Sequence, residues 1–225
     1  MRKILLRCVI IFLSFSVLSV VLLKWLPVRY TPLMLQRYIE NFSDNDFYNV
    51  RDWKSIENIS SNMVLAVLAS EDGNFMNHNG FDWDAIKRAM AHNRNNGTKY
   101  GASTISQQTA KNVYLLPCRN WIRKGLEAYF TVLIEFLWSK ERIMEIYLNI
   151  IEVGDGLYGV ETAAQVYFGK SANNLSVYEA SQIASILPNP RVYKLSNPSQ
   201  ELIKRQGRIR QLMRQMSLPD FLTNN

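Results

Sequence analysis

Hydrophobic positions fall into two regimes along the chain. From Cys8 to Leu23 there are 16 residues without a charge, and the longer run Ile4 to Leu26 is interrupted only by Arg7 and Lys24. At 1.5 Å per residue the uncharged stretch covers roughly 24 Å, a little short of a hydrocarbon layer of about 30 Å. Arg7 and Lys24 can snorkel from its two ends to make up the difference. Beyond it, apolar residues recur at three- and four-residue spacing. Val64, Leu68 and Glu71 share one face of a helix expected from Ser60 or Ser61 to a stop at Gly73. A second helix is expected from Ser103 or Thr104 to before Pro117. Leu126, Tyr129, Phe130, Leu133, Ile134 and Leu137 form one long stripe, and Ile143, Ile146, Tyr147, Ile150 and Ile151 another. Two later helices are read over Tyr178–Leu187 and around Leu202–Met216. Alternating strands are scarce, so the fold class is mainly α.

This pattern divides the chain into a short amino terminus (1–7), a membrane-spanning helix (8–26), a connecting segment (27–50) and a helical domain (51–225). The connecting segment is inferred from Pro27, Pro32 and the polar run Asn41 to Asn49. A cleaved signal would need small residues before its cleavage site, yet the first alanine is Ala66, so the helix reads as a retained anchor. Arg2, Lys3 and Arg7 precede it, which puts the amino terminus in the cytoplasm and the domain on the far side.

Charge changes the picture little. The net charge is +7, but positions 1–24 hold four basic residues and no acid, leaving 22 basic against 19 acidic. Arg191 to Arg214 carries seven basic residues and one acidic. A basic segment on a near-neutral domain is no footprint for a nucleic acid. It could instead meet anionic lipid, or be a solvated helix face packed by Leu202, Ile209 and Met213. Cys8 lies in the anchor and Cys118 is alone in the domain, so no disulfide is expected within the domain.

Several chemistries drop out. Gly154 to Gly159 matches G-x-G-x-x-G by letters, but an amphipathic helix precedes it where a dinucleotide site needs a strand. His78 and His92 are the only histidines and no H-E-x-x-H or paired C-x-x-C occurs, so no resident metal is expected. No G-x-S-x-G elbow occurs.

Three clusters remain. Glu71-Asp72 closes an apolar helix. A carboxylate there faces the negative end of the helix dipole among apolar neighbours, and both effects would raise its pKa, as suits a general base. A surface cap is the alternative. The second cluster, Gly101 to Asn112, puts Gln107, Gln108 and Lys111 on one polar helix face, although Thr104 and Gln107 also have capping-box spacing. Asn93 to Gly101, rich in Asn and Gly, reads as a mobile flap before it. The third is Arg119 with Arg123-Lys124-x-x-Glu127, where Arg123 and Glu127 could equally form a surface ion pair.

Taken together, these clusters resemble the peptidoglycan glycosyltransferases of family 51, in their monofunctional biosynthetic form. The resemblance rests on Glu71-Asp72-x-x-Phe75-x-x-His78-x-Gly80-x-Asp82, Gly101-x-Ser103-Thr104-Ile105-x-Gln107-Gln108-x-x-Lys111-Asn112 and Arg123-Lys124-x-x-Glu127. It continues through Lys140, Ile143, Tyr147-Leu148-Asn149 and Gly159 to Lys170, and covers roughly Trp53 to Arg214. It implies a lysozyme-like, two-lobed α domain in the bacterial inner membrane, facing the periplasm. Such a domain polymerises lipid II into β-1,4 glycan strands with inversion and release of undecaprenyl diphosphate. No transpeptidase domain is expected.

By resemblance, Glu71 is the base and Glu127 the second essential carboxylate. Lys111, Arg119 and Arg123 hold the diphosphate, and Ser103, Thr104, Gln107 and Gln108 line sugar or phosphate sites. No cofactor is required, though a divalent cation (Mg2+ or Mn2+) could assist. The partners implied are lipid II, the growing strand, the membrane, and cell-wall synthesis or division proteins. Two rival readings are a lysozyme-like lytic enzyme or glycan hydrolase, and an inactive membrane scaffold.

Overall fold

The computed structural model describes residues 2–40, 52–95, 101–118 and 120–223. Its helices are α1 (Arg2–Leu23), α2 (Pro32–Glu40), α3 (Ser61–Glu71), α4 (Trp83–Asn95), α5 (Ile105–Tyr114), α6 (Trp121–Leu137), α7 (Lys140–Ile150), α8 (Val160–Phe168), α9 (Val177–Ile186), α10 (Gln200–Met213) and α11 (Asp220–Thr223). The only sheet among the described residues is a hairpin of β1 (Glu152–Gly154) and β2 (Leu157–Tyr158), paired antiparallel. The glycine-rich stretch Gly154–Gly159 is therefore a hairpin turn after α7, with no βαβ unit around it.

Two elements differ from expectation. The apolar helix begins at Arg2 rather than residue 8 and ends at Leu23, 22 residues or about 33 Å. Hydropathy marks where charge stops, whereas the helical hydrogen-bond ladder runs through Arg7, since arginine is a good helix former. Residues 27–50 are not merely a connection. Pro32 opens α2, with its fixed φ suited to a first helical position, and the Thr31 hydroxyl oxygen accepts the Met34 N–H at 3.2 Å. The polar run Asn41 to Asn49 lies outside the described residues.

The apolar helix α1 is docked on the domain, not free-standing. Ser16 and Tyr129 of α6 share a hydrogen bond of 2.7 Å, and the Trp138 indole donates to the Val20 carbonyl at 2.8 Å. The Arg142 guanidinium donates to the Leu23 carbonyl at 2.8 and 3.2 Å and also to that of Leu26. A cation at these orphan carbonyls caps the carboxyl end of α1. Arg142 is itself held against Trp53 and Glu145.

Two helix groups carry the domain. In one, α3, α9 and α10 pack together; in the other, α5 packs on α6 and α7. The motifs of the first group are sewn to α5. Asp72 caps α3 and accepts the Ile105 N–H at 3.0 Å, placing a carboxylate at the amino end of α5. His78 Nε2 lies 3.0 Å from both Asp72 oxygens while His78 Nδ1 accepts the Gly80 N–H at 3.1 Å, so Nε2 carries the proton donated to Asp72. The Thr104 hydroxyl donates to the Gly80 carbonyl at 2.6 Å. Gly80 has φ +88° and a Cβ there would stand 2.7 Å from Thr131, so only glycine fits. Phe75 fills the core beneath, and Lys140 lies over its ring and donates to the His78 carbonyl at 2.6 Å.

Candidate active site

The last residue of α3 is Glu71, and its carboxylate projects where α3, α5 and α10 converge. Oε2 accepts the Gln108 amide at 3.1 Å, Oε1 accepts the Ser70 hydroxyl at 3.0 Å, and Arg205 stands 3.6 Å from Oε1. The side chain is 11% exposed, so it is screened from bulk water yet reachable from the cleft. Val64 and Leu68 bury the rest of that helix face, and the carboxylate itself accepts from two donors in a cavity that also has Leu33, Ile151 and Leu187 in its wall.

Three adjoining cavities meet here. One of about 570 Å³ holds Glu71, Ser103, Gln108, Lys111, Asn112 and Arg205. A second, about 330 Å³, shares Lys111 and Asn112 and reaches Arg123. The third, about 300 Å³, shares Glu71 and Ser103 and runs toward Asp82 and Arg88. Glu71 thus sits where the 570 and 300 Å³ cavities adjoin, and Lys111 where the 570 Å³ cavity adjoins the one that reaches Arg123. A further cavity of about 400 Å³, walled by the segment after α1 and by α8, contains none of these residues.

The Lys111 ammonium has no hydrogen-bond or ion-pair partner among the described residues. Burial pulls its ammonium below the ordinary lysine range, against the opposing pull of Glu127. Glu127 is 3% exposed, with one oxygen taking Arg123 at 2.8 Å and the other taking Lys124. A solvated surface pair does not describe it, because the Glu127 side chain is almost fully buried. With both oxygens engaged, Glu127 fixes two cations beside Lys111.

The expected substrate-lining residues separate. Ser103 and Gln108 face the cleft. Gln107 does not: its side chain accepts the Thr104 N–H at 3.0 Å, while the Thr104 hydroxyl oxygen accepts the Gln107 N–H, a closed capping box. The capping spacing and the polar-face spacing were both present in the sequence, and the orphan amides at the start of α5 claimed Gln107. Thr104 lines the 300 Å³ cavity but spends its hydroxyl on Gly80. Arg119 lies outside the described residues, as does 96–100 of the expected flap, whose first residues Asn93 to Asn95 belong to α4.

Sequence reasoning missed Arg205. It lies in the basic stretch considered for lipid contact, and only the packing of α10 on α3 brings it to Glu71. Leu202, Ile209 and Met213 form the buried face of that helix. Arg210 stacks on Tyr178 and donates to Ser181, and Arg191 pairs with Asp155, so three of the seven cations in this stretch serve the domain itself. Among the described residues no three His, Cys, Asp or Glu side chains converge as a metal cage.

A family model described as Transglycosylase matches residues 36–216. A biosynthetic peptidoglycan transglycosylase of Bdellovibrio bacteriovorus is 51% identical over 210 residues, covering 93% of this chain and 84% of the relative. A protein of the same description from Pseudomonas syringae pv. syringae is 47% identical, covering 94% of this chain and 90% of the relative. One from Stutzerimonas stutzeri is 45% identical, covering 93% and 87%.

Proposed function

This chain belongs to the transglycosylase family, and we propose that its cleft joins lipid-linked sugars with Glu71 as base and Lys111, Arg119 and Arg123 as the seat of the departing diphosphate. The protein is a peptidoglycan glycosyltransferase, an enzyme of cell-wall synthesis with a lysozyme-like, mainly helical domain. Its substrates are lipid II and the growing glycan strand.

In the proposed step the acceptor's C4 hydroxyl attacks the anomeric carbon of the donor. The new C–O bond forms as the bond to the diphosphate breaks with its electron pair, and the hydroxyl proton passes to Glu71. A diphosphate leaves as a stable anion, so it calls for fixed cations rather than an acid. Attack from the face opposite the leaving group inverts an α donor to a β-1,4 product. The observation that carries this reading is the division of the cleft: a carboxylate held by Ser70 and Gln108 at one end, a cationic cavity braced by Glu127 at the other. A lytic enzyme cutting neutral glycosidic bonds has no use for that second cavity. A divalent ion, where one assists, would arrive on the substrate's diphosphate.

The apolar helix α1 gives a reason for the exposed faces beside it. Arg2–Leu23 is a membrane anchor by length and composition, with its basic amino end toward the cytoplasm and the domain in the periplasm. Because α6 is hydrogen-bonded along α1, its exposed Trp121, Ile122, Val132 and Phe136 enter the same layer. The substrate never leaves the bilayer, so a docked anchor turns a search in solution into a search along a surface.

The test is to incubate the full chain with lipid II and, separately, with purified cell-wall sacculi, each with and without chelator. Glycan polymer from lipid II and intact sacculi are expected; soluble fragments released from sacculi would favour the lytic reading.

A further inference from the structure

Glu152 has no part in the step above, and no motif in the sequence points to it. It is the first residue of β1, where strand alternation turns Val153 fully into the core and leaves Glu152 on the other side. There it lines the 570 Å³ cavity together with Glu71, Ser103, Lys111 and Arg205. One of its carboxylate oxygens, Oε1, is shut off from bulk water and has no hydrogen-bond partner among the described residues. Buried acceptors are nearly always paired, and an exception at a cleft calls for a partner that arrives with the ligand.

The charges that face Glu152 are Arg37 of α2, Arg191 beyond α9 and Asp155 at the hairpin turn. Neither arginine hydrogen-bonds to it: Arg37 is paired with Glu40 and Arg191 with Asp155. The Arg37 Nε is likewise buried without a partner. Burial pushes the Glu152 carboxyl above the ordinary range, an effect that Arg37 and Arg191 partly offset. The strand holds it rigidly, since the Tyr167 hydroxyl donates to the Val153 carbonyl at 2.8 Å. At Gly154 a Cβ would come within 2.7 Å of that same hydroxyl, so the backbone next to Glu152 has one seat.

A carboxyl is a poor neighbour for a diphosphate and a good one for sugar hydroxyls and amide N–H groups. Arg123 and Glu152 share no cavity, while Lys111 belongs to both of theirs. The sugar end of the cleft is therefore the end that holds Glu71 and Glu152. We propose that Glu152 is a substrate-binding residue, its unpartnered oxygen accepting a hydroxyl or amide N–H of the N-acetylated sugar that enters beside Glu71. This rests on the reading of the cleft as the transfer site.

Because Oε1 holds no partner among the described residues and the backbone contact to this carboxylate, from Gly156, lies within its own hairpin, removing the carboxyl should weaken substrate more than it weakens the fold. The test measures KM, kcat and the thermal midpoint of full-length Glu152→Ala and Glu152→Gln with lipid II. Glu152→Ala should raise KM about tenfold, the worth of one lost hydrogen bond to a charged group, with a midpoint close to that of the wild type. Glu152→Gln, which keeps one acceptor oxygen, should retain most of the affinity. An unchanged KM in Glu152→Ala, or a lowered midpoint in both variants with KM unchanged, would overturn the proposal alone. No polymer from the wild-type chain would overturn it together with the reading of the cleft.

Discussion

Gln108 on α5 donates its side-chain amide to Glu71 on α3 at 3.1 Å, across the line where the two helix groups meet. The contact aims a carboxylate that has rotational freedom of its own. The opposite atom of the same amide lies 3.4 Å from the hydroxyl of Tyr147, a long contact that still fixes which way the amide faces. Gln108→Ala should leave the fold in place and lower kcat by roughly 10- to 100-fold, with KM little changed, because orientation matters most in the transition state. Steady-state rates on lipid II, beside a thermal melt, check this.

Lys111 supplies a pH signature. Burial favours its neutral amine, so the ammonium loses its proton at lower pH than a free lysine would. On the proposed reading, the positive charge that would meet the diphosphate is present below that point and lost above it. The value of kcat/KM for lipid II should therefore fall on the alkaline side, sooner than an ordinary lysine predicts. Lys111→Arg keeps its charge throughout and should move that limb to higher pH, whatever it costs in rate. Two profiles measured over the same pH range decide it; an unmoved limb assigns it to another group.

Asp72 is adjacent to Glu71 in sequence but serves the frame. It is 7% exposed, holds His78 through Nε2 and accepts the first N–H of α5. Asp72→Ala strands both donors in the interior and should cost about 2–4 kcal/mol. For a domain of this size that is a fall in the melting midpoint of roughly 5–15 °C. His78→Ala should show a smaller loss, since the Ile105 N–H keeps its partner. Thermal unfolding of the full-length protein compares them.

Local pattern carried much of this architecture. Ser60 and Thr104, the N-caps of α3 and α5, and the apolar stripe of α6 stand where capping chemistry and 3.6-residue spacing put them. Pro32 was misleading because the same residue that ends one helix begins another, and only its partner Thr31 tells the two uses apart. Glu71, Gln108 and Lys111 were legible as chemistry-bearing residues. Their common cleft was not, because it depends on how α3 packs relative to α5. Arg205 and Glu152 were invisible for the same reason: each comes to the cleft by long-range packing, from α10 and from the hairpin, with no local spacing to mark it. Gln107 shows the converse, a residue with two readings whose outcome was set by unsatisfied amides at a helix end.

In the proposed step a proton leaves the acceptor hydroxyl for the Glu71 carboxylate. The most direct measurement is the single-turnover rate of lipid II coupling by full-length Glu71→Gln, with substrate binding followed in parallel. Glutamine keeps the shape and can still meet Ser70 and Gln108, but it cannot take the proton. The rate should fall by roughly 10²- to 10⁴-fold while lipid II remains bound. A variant that couples lipid II at close to the wild-type rate would contradict the account.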